Sequence, residues 1–118
     1  MIMKRRGGIF LKTTWKYHHL GIPTDKPVKG EQYIKELKIF HAGYDQNEFG
    51  IEWMRYEADC PLPEIVKTLP HLAFTVENII EALKGRKVII EPNSPSAGNV
   101  VAFIGEDGLP IELIQIRQ

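Results

Sequence analysis

Cys60 is the only cysteine in this 118-residue chain, so no intrachain disulfide can form and stability must come from packing. We expect a reducing, cytoplasmic setting. Long apolar runs are missing too: the longest unbroken aliphatic or aromatic stretch is Val100 to Ile104, far short of the about 20 residues of a membrane-crossing helix. Nor is there net charge. Fifteen Lys and Arg balance fifteen Asp and Glu at a pI near 6.9, which removes the basic footprint from which nucleic-acid recognition starts. The expected partner is therefore a small molecule, with no nucleic acid and no membrane. The residues that are present, 43% of them hydrophobic, suit one domain over 1–118 that buries about two-thirds of its unfolded surface.

Charge is uneven along the chain. Lys4, Arg5, Arg6, Lys12 and Lys16 all precede the first acid, Asp25. Ile9-Phe10-Leu11 is too short an apolar stretch for a secretory signal before Lys12 interrupts it. Residues 1–13 read as a basic arm, with Met3 an alternative start.

Residues 14–60 form a first module. Thr14 to Thr24 alternates as a strand and ends at Pro23. Gly30 to Lys38 places Tyr33, Ile34 and Leu37 on one face and predicts a short amphipathic helix. Ile39-Phe40 and Phe49 to Tyr56 follow as strands. Residues 61–70 are a proline-rich connector with room for a turn or two of helix between Leu62 and Leu69. The second module, 71–118, reads more clearly. His71 to Val76 is a strand, Glu77 to Lys84 a helix ended by Gly85, and Lys87 to Glu91 and Val100 to Ile104 are strands. Asp107-Gly108 marks a hairpin turn before a last strand, Pro110 to Ile116.

The halves repeat each other. His19-Leu20-Gly21-Ile22 matches His71-Leu72-Ala73-Phe74, and Ile51-Glu52-Trp53 matches Ile111-Glu112-Leu113. From His to Glu the first half spans 33 residues and the second 41, from 52 − 19 and 112 − 71; the shorter half is expected to have lost or reduced a strand. Each His and each Glu sits inside a strand beside apolar neighbours. A sheet curled around a cavity would aim all four side chains at one centre. Two imidazoles and two carboxylates suit Zn, Ni, Mn, Fe or Co and leave positions for two adjacent substrate oxygens.

With that pattern the chain resembles the vicinal-oxygen-chelate superfamily of glyoxalase and bleomycin-resistance proteins. The match runs over residues 14 to 118 and is best at His71 to Val76, Glu91-Pro92, Val101 to Ile104, Asp107-Gly108 and Ile111 to Gln115. The resemblance implies an α+β fold of two βαβββ modules, the first abbreviated, forming a curled, cup-shaped mixed sheet with helices outside. It also implies a divalent metal held by His19, Glu52, His71 and Glu112, with Glu112 doubling as proton shuttle in lyase- or isomerase-type chemistry. A homodimer is expected. The alternatives are a metal-free small-molecule binding protein of the bleomycin-resistance type and a non-catalytic remnant.

Other residues have plainer readings. His18 alternates with His19 and is expected on the outer face. His41 lies in a polar, irregular stretch and is expected to be exposed. Arg55 faces away from Glu52 and reads as a surface or dimer-contact residue. Cys60 has no activating partner in sequence. Trp53, Tyr56, Tyr33 and Phe103 are either pocket walls or core, and the loop Pro92 to Asn99 is either a lid or a plain connection.

Overall fold

The computed structural model describes residues 12–95 and 98–117, so most of the basic arm and Ser96-Ala97 of the Pro92 to Asn99 loop lie outside it. The first module holds β1 (Lys16–Pro23), β2 (Gln32–Ile34), β3 (Ile39–Ala42) and β4 (Ile51–Tyr56). A connector carrying α1 (Glu64–Thr68) leads to β5 (His71–Thr75), α2 (Ile79–Leu83), β6 (Lys87–Asn93), β7 (Asn99–Glu106) and β8 (Leu109–Ile116). No helix among the described residues is long and apolar enough to cross a membrane.

All eight strands join in one curled mixed sheet, a half-barrel in the order β2-β3-β4-β1-β5-β8-β7-β6. In each module the first and last strands are parallel neighbours, β1 with β4 and β5 with β8, and the modules meet through antiparallel β1 and β5. The cup thus closes within one chain. The hairpin from β7 to β8 turns on Asp107 and Gly108, both at positive φ (51° and 81°), the backbone that a two-residue turn between right-twisted strands requires.

Alternation in β7 decides where the core sits. Val100, Ala102 and Ile104 point to one face, where they pack with Val76, Ile79 and Leu113 under α2. Val101 and Phe103 point to the other, into the cup. Helix α2 starts cleanly because the Asn78 side chain accepts from the Glu81 amide at 3.0 Å and the Gln115 side chain accepts from the Ile79 amide at 2.8 Å. Helix α1 lies at the cup instead, where Val66 lines it.

The helix expected over Gly30 to Lys38 is absent. Its residues form β2 and a tight turn into β3, with Lys38 at φ 57°. Ile34 pairs with Ile39, Tyr33 stacks on Phe40, and Ile34, Leu37 and Ile39 all border the cup. A stripe at spacing three fits a helix turn and a folded hairpin equally, and pairing with β3 decides between them. Each module therefore has four strands. The shortfall of the first falls on helix, of which it holds only a 3-10 turn at Tyr44–Gln46, and on β2 and β3, of three and four residues against seven and eight in β6 and β7.

Candidate metal centre

Two rows of register partners cross the middle of the sheet. One runs Glu52, Gly21, His71 over β4, β1 and β5; the other runs His19, Ala73, Glu112 over β1, β5 and β8. Register partners share a face, so the side chains of His19, Glu52, His71 and Glu112 all enter the cup. Each row has a small residue at its centre, which lets the flanking side chains lean together. Ala73 is fully buried, and a Cβ on Gly21 would overlap the His71 ring.

The result is a tight, shielded cluster. Oε1 of Glu112 lies 3.1 Å from Nε2 of His71 and 3.3 Å from Nε2 of His19, and the two Nε2 atoms are 3.4 Å apart. His19 and His71 are 6% and 2% exposed. One donor atom from each of the three lies within 4.8 Å of the others. Ligands about 2.1 Å from one ion stand roughly 3.0 Å apart at right angles and roughly 3.4 Å apart at the tetrahedral angle. The observed separations fall in that interval, and the nitrogen and oxygen donors are those of Zn, Ni, Mn, Fe and Co sites. Glu52 stands next to the cluster, with Oε1 3.7 Å from Nε2 of His19.

Two histidines are placed differently from expectation. His18 is the extra residue of a bulge: Tyr17 pairs with Phe74 and His19 with the next residue, Ala73. The bulge breaks the alternation that would have put His18 outside. Its Nδ1 instead meets Nδ1 of His19 at 2.8 Å, and its ring stacks on Tyr44 at 4.8 Å. That hydrogen bond occupies one nitrogen of His19 and leaves Nε2 for the centre, as the outer partner of a metal-binding histidine does. His41 is half-buried on β3, with Nδ1 2.9 Å from Oε2 of Glu52. The strand β3 extends past Phe40 and turns this residue inward.

Arg55 does face away from Glu52, but its partners belong to its own chain. It pairs with Glu31 and lies 4.1 Å over the Phe40 ring. Cys60 is buried and free.

Electrostatics follow from the packing. Burial opposes ionisation of Glu112, but hydrogen bonds from His19 and His71 outweigh it and hold the carboxyl at about 2. The bond to Glu52 raises His41, against its burial. Burial lowers His18, helped by neighbouring His19. Tyr56 is pushed far up, chiefly by burial, and keeps its hydroxyl proton.

A cavity of about 100 Å³ opens beside the cluster. His71, Glu112 and Tyr56 give it a polar side, and Ile39, Met54, Val66, Val101 and Phe103 give it apolar walls. Of the aromatic candidates, Tyr56 and Phe103 line it, whereas Tyr33 and Trp53 do not. Asn93 and Pro95 border it, which brings the start of the Pro92 to Asn99 loop to its edge. No Lys or Arg is among the described lining residues.

No family model matches the chain, and no curated protein matches it in sequence. Solved structures do match in shape. A hypothetical protein, BH1468, from Bacillus halodurans C-125 superposes with a TM-score of 0.69 at 18% identity, over 90% of this chain and 97% of that one. Methylmalonyl-CoA epimerase from Mycobacterium tuberculosis superposes with a TM-score of 0.63 at 16% identity, over 92% of this chain and 94% of that one. At these identities the likeness establishes the fold. That fold is shared with both structures.

Proposed function

We propose that the chain is a divalent-metal-dependent enzyme that chelates a small substrate through neighbouring oxygens and moves a proton on an adjacent carbon, an isomerase- or lyase-type reaction. The observation that supports this most is the convergence of His19, His71 and Glu112 within 4.8 Å beside an apolar cavity. Burying such a cluster is costly, and perturbed groups in a cleft mark functional sites. The fold likeness to an enzyme named as an epimerase supports the isomerase side. His19, His71 and Glu112 would hold the ion, with Glu52 the fourth donor expected from the sequence. A bound divalent ion supplies Lewis-acid stabilisation of negative charge on substrate oxygens.

The chain's own residues then have defined tasks. Glu112 touches both histidines and lines the cavity, so it is the carboxylate assigned to move the proton. Its low value belongs to the unloaded site, because a histidine nitrogen engaged by an ion no longer donates to it. Tyr56, protonated, is a hydrogen-bond donor for a substrate oxygen. The apolar walls, with no Lys or Arg among the described lining residues, accept a short uncharged group and keep water away from the reacting carbon.

Deuterium uptake from heavy water into small carbonyl compounds with apolar branches, followed by proton NMR on the Co²⁺-loaded chain, tests this reading. Exchange at the carbon beside the carbonyl, lost in Glu112→Gln, is expected. A chain that takes up no divalent ion, or exchange undiminished in Glu112→Gln, contradicts it. We also infer a homodimer: the first module has only a 3-10 turn, Tyr44–Gln46, whereas the second has the helix α2, and Trp53 on β4 is 38% exposed. Light scattering at twice 13.5 kDa is expected, and the mass of one chain contradicts it. The single buried Cys60 fits a cytoplasmic setting.

A further inference from the structure

The two glutamates occupy matched positions, yet they differ in what surrounds them. Glu112 gives Oε1 to both histidines of the centre. Glu52 divides itself: Oε1 is 3.7 Å from His19, and Oε2 is held at 2.9 Å by His41. The register shows why. His41 is paired with Met54, two residues after Glu52, and the matched position in the second module is Val101, paired with Ile114, two residues after Glu112. Valine offers a carboxylate nothing, so Glu112 turns wholly to the histidines. Histidine at the same place draws Glu52 aside.

We propose that the resident metal shell of this chain has three protein donors, His19, His71 and Glu112. His41 is a positioning residue that holds Glu52 out of the shell and keeps that side open to substrate. This rests on the metal reading above and departs from the symmetric four-ligand set expected from the sequence. The bond to His41 fixes the carboxylate of Glu52 with Oε1 3.7 Å from Nε2 of His19, wider than the 3.1–3.4 Å that separate the donors of the group His19, His71 and Glu112, so Glu52 must swing inward to join the shell.

The test is Co²⁺ binding to the full chain at one pH, by titration calorimetry and by the visible absorption of the bound ion, with circular dichroism to confirm folding. Glu112→Gln is expected to weaken binding by about 30-fold or more, within the range seen when site partners are removed. Glu52→Gln is expected to change it by less than about 3-fold, a small effect on the same scale. His41→Leu, which frees Glu52, is expected to tighten binding and alter the absorption spectrum, whereas His41→Gln keeps an N–H donor and behaves as the unaltered chain. Equal weakening by Glu52→Gln and Glu112→Gln overturns the proposal, as does a His41→Leu protein with unchanged affinity and spectrum. Should His41→Leu fail to fold, the two glutamine variants of the glutamates decide. A failure of the unaltered chain to bind Co²⁺ at all is distinguishable, because it removes the metal reading itself.

Discussion

Gly21 lies directly against the imidazole of His71: the two are register partners across β1 and β5, and a side chain on Gly21 would occupy the space of the ring. The glycine is thus part of the site without carrying any chemistry. Gly21→Ala is expected to push His71 off its position, destabilise the fold by about 1–3 kcal/mol through overpacking, and weaken metal binding by about tenfold or more. Denaturant unfolding and Co²⁺ titration of the same variant measure both effects. An alanine that leaves metal affinity intact contradicts the placement of His71.

Acid should unfold the metal-free chain in a way that Glu112 governs. Its carboxyl drops from an ordinary 4.5 to about 2 in the folded state, through its bonds to His19 and His71. A depressed folded value contributes stability that is present above about 4.5 and is lost as pH falls towards 2. The contribution is at most about 3 kcal/mol. Unfolding free energy measured from pH 6 down to pH 2.5 or so is expected to fall steeply in the unaltered chain. In Glu112→Gln that decline is expected to be shallower; an identical slope contradicts the assignment.

Much of the second module can be read locally. Its strands run five to eight residues, α2 begins at the Asn78 cap, and Asp107-Gly108 turns the last hairpin. Each signal acts between residues close in sequence. The first module depends on partners further away. Tyr33, Ile34 and Leu37 satisfy a helix pattern until β3 is there to pair with them. His41 meets Glu52 only once β3 and β4 are in register. His18 reaches the site through a bulge, which no alternation rule contains. The pairing of His19 with His71 and of Glu52 with Glu112 was legible because repeated modules repeat their positions. Their unequal surroundings were not, since these come from His41 standing where the other module has Val101.

Arg55 offers a control that separates stability from the site. It anchors β2 to β4 through Glu31 and covers Phe40 on the face opposite Glu52. Arg55→Ala is expected to cost about 1–2 kcal/mol through the lost pair and the lost packing over the ring. Metal affinity is expected to stay within about twofold, because no partner is shared with the centre. Thermal unfolding and Co²⁺ titration check the two halves of the statement, and a tenfold loss of affinity contradicts it.

The central claim is that His19, His71 and Glu112 form a metal-binding centre, and elemental analysis of untagged protein tests it most directly. The protein is purified without chelator after expression with Zn, Ni, Mn, Fe and Co supplied. About one divalent ion per chain, lost in His71→Ala and in Glu112→Ala, is the predicted result. No metal above background under any loading condition, or metal retained in both variants, contradicts it.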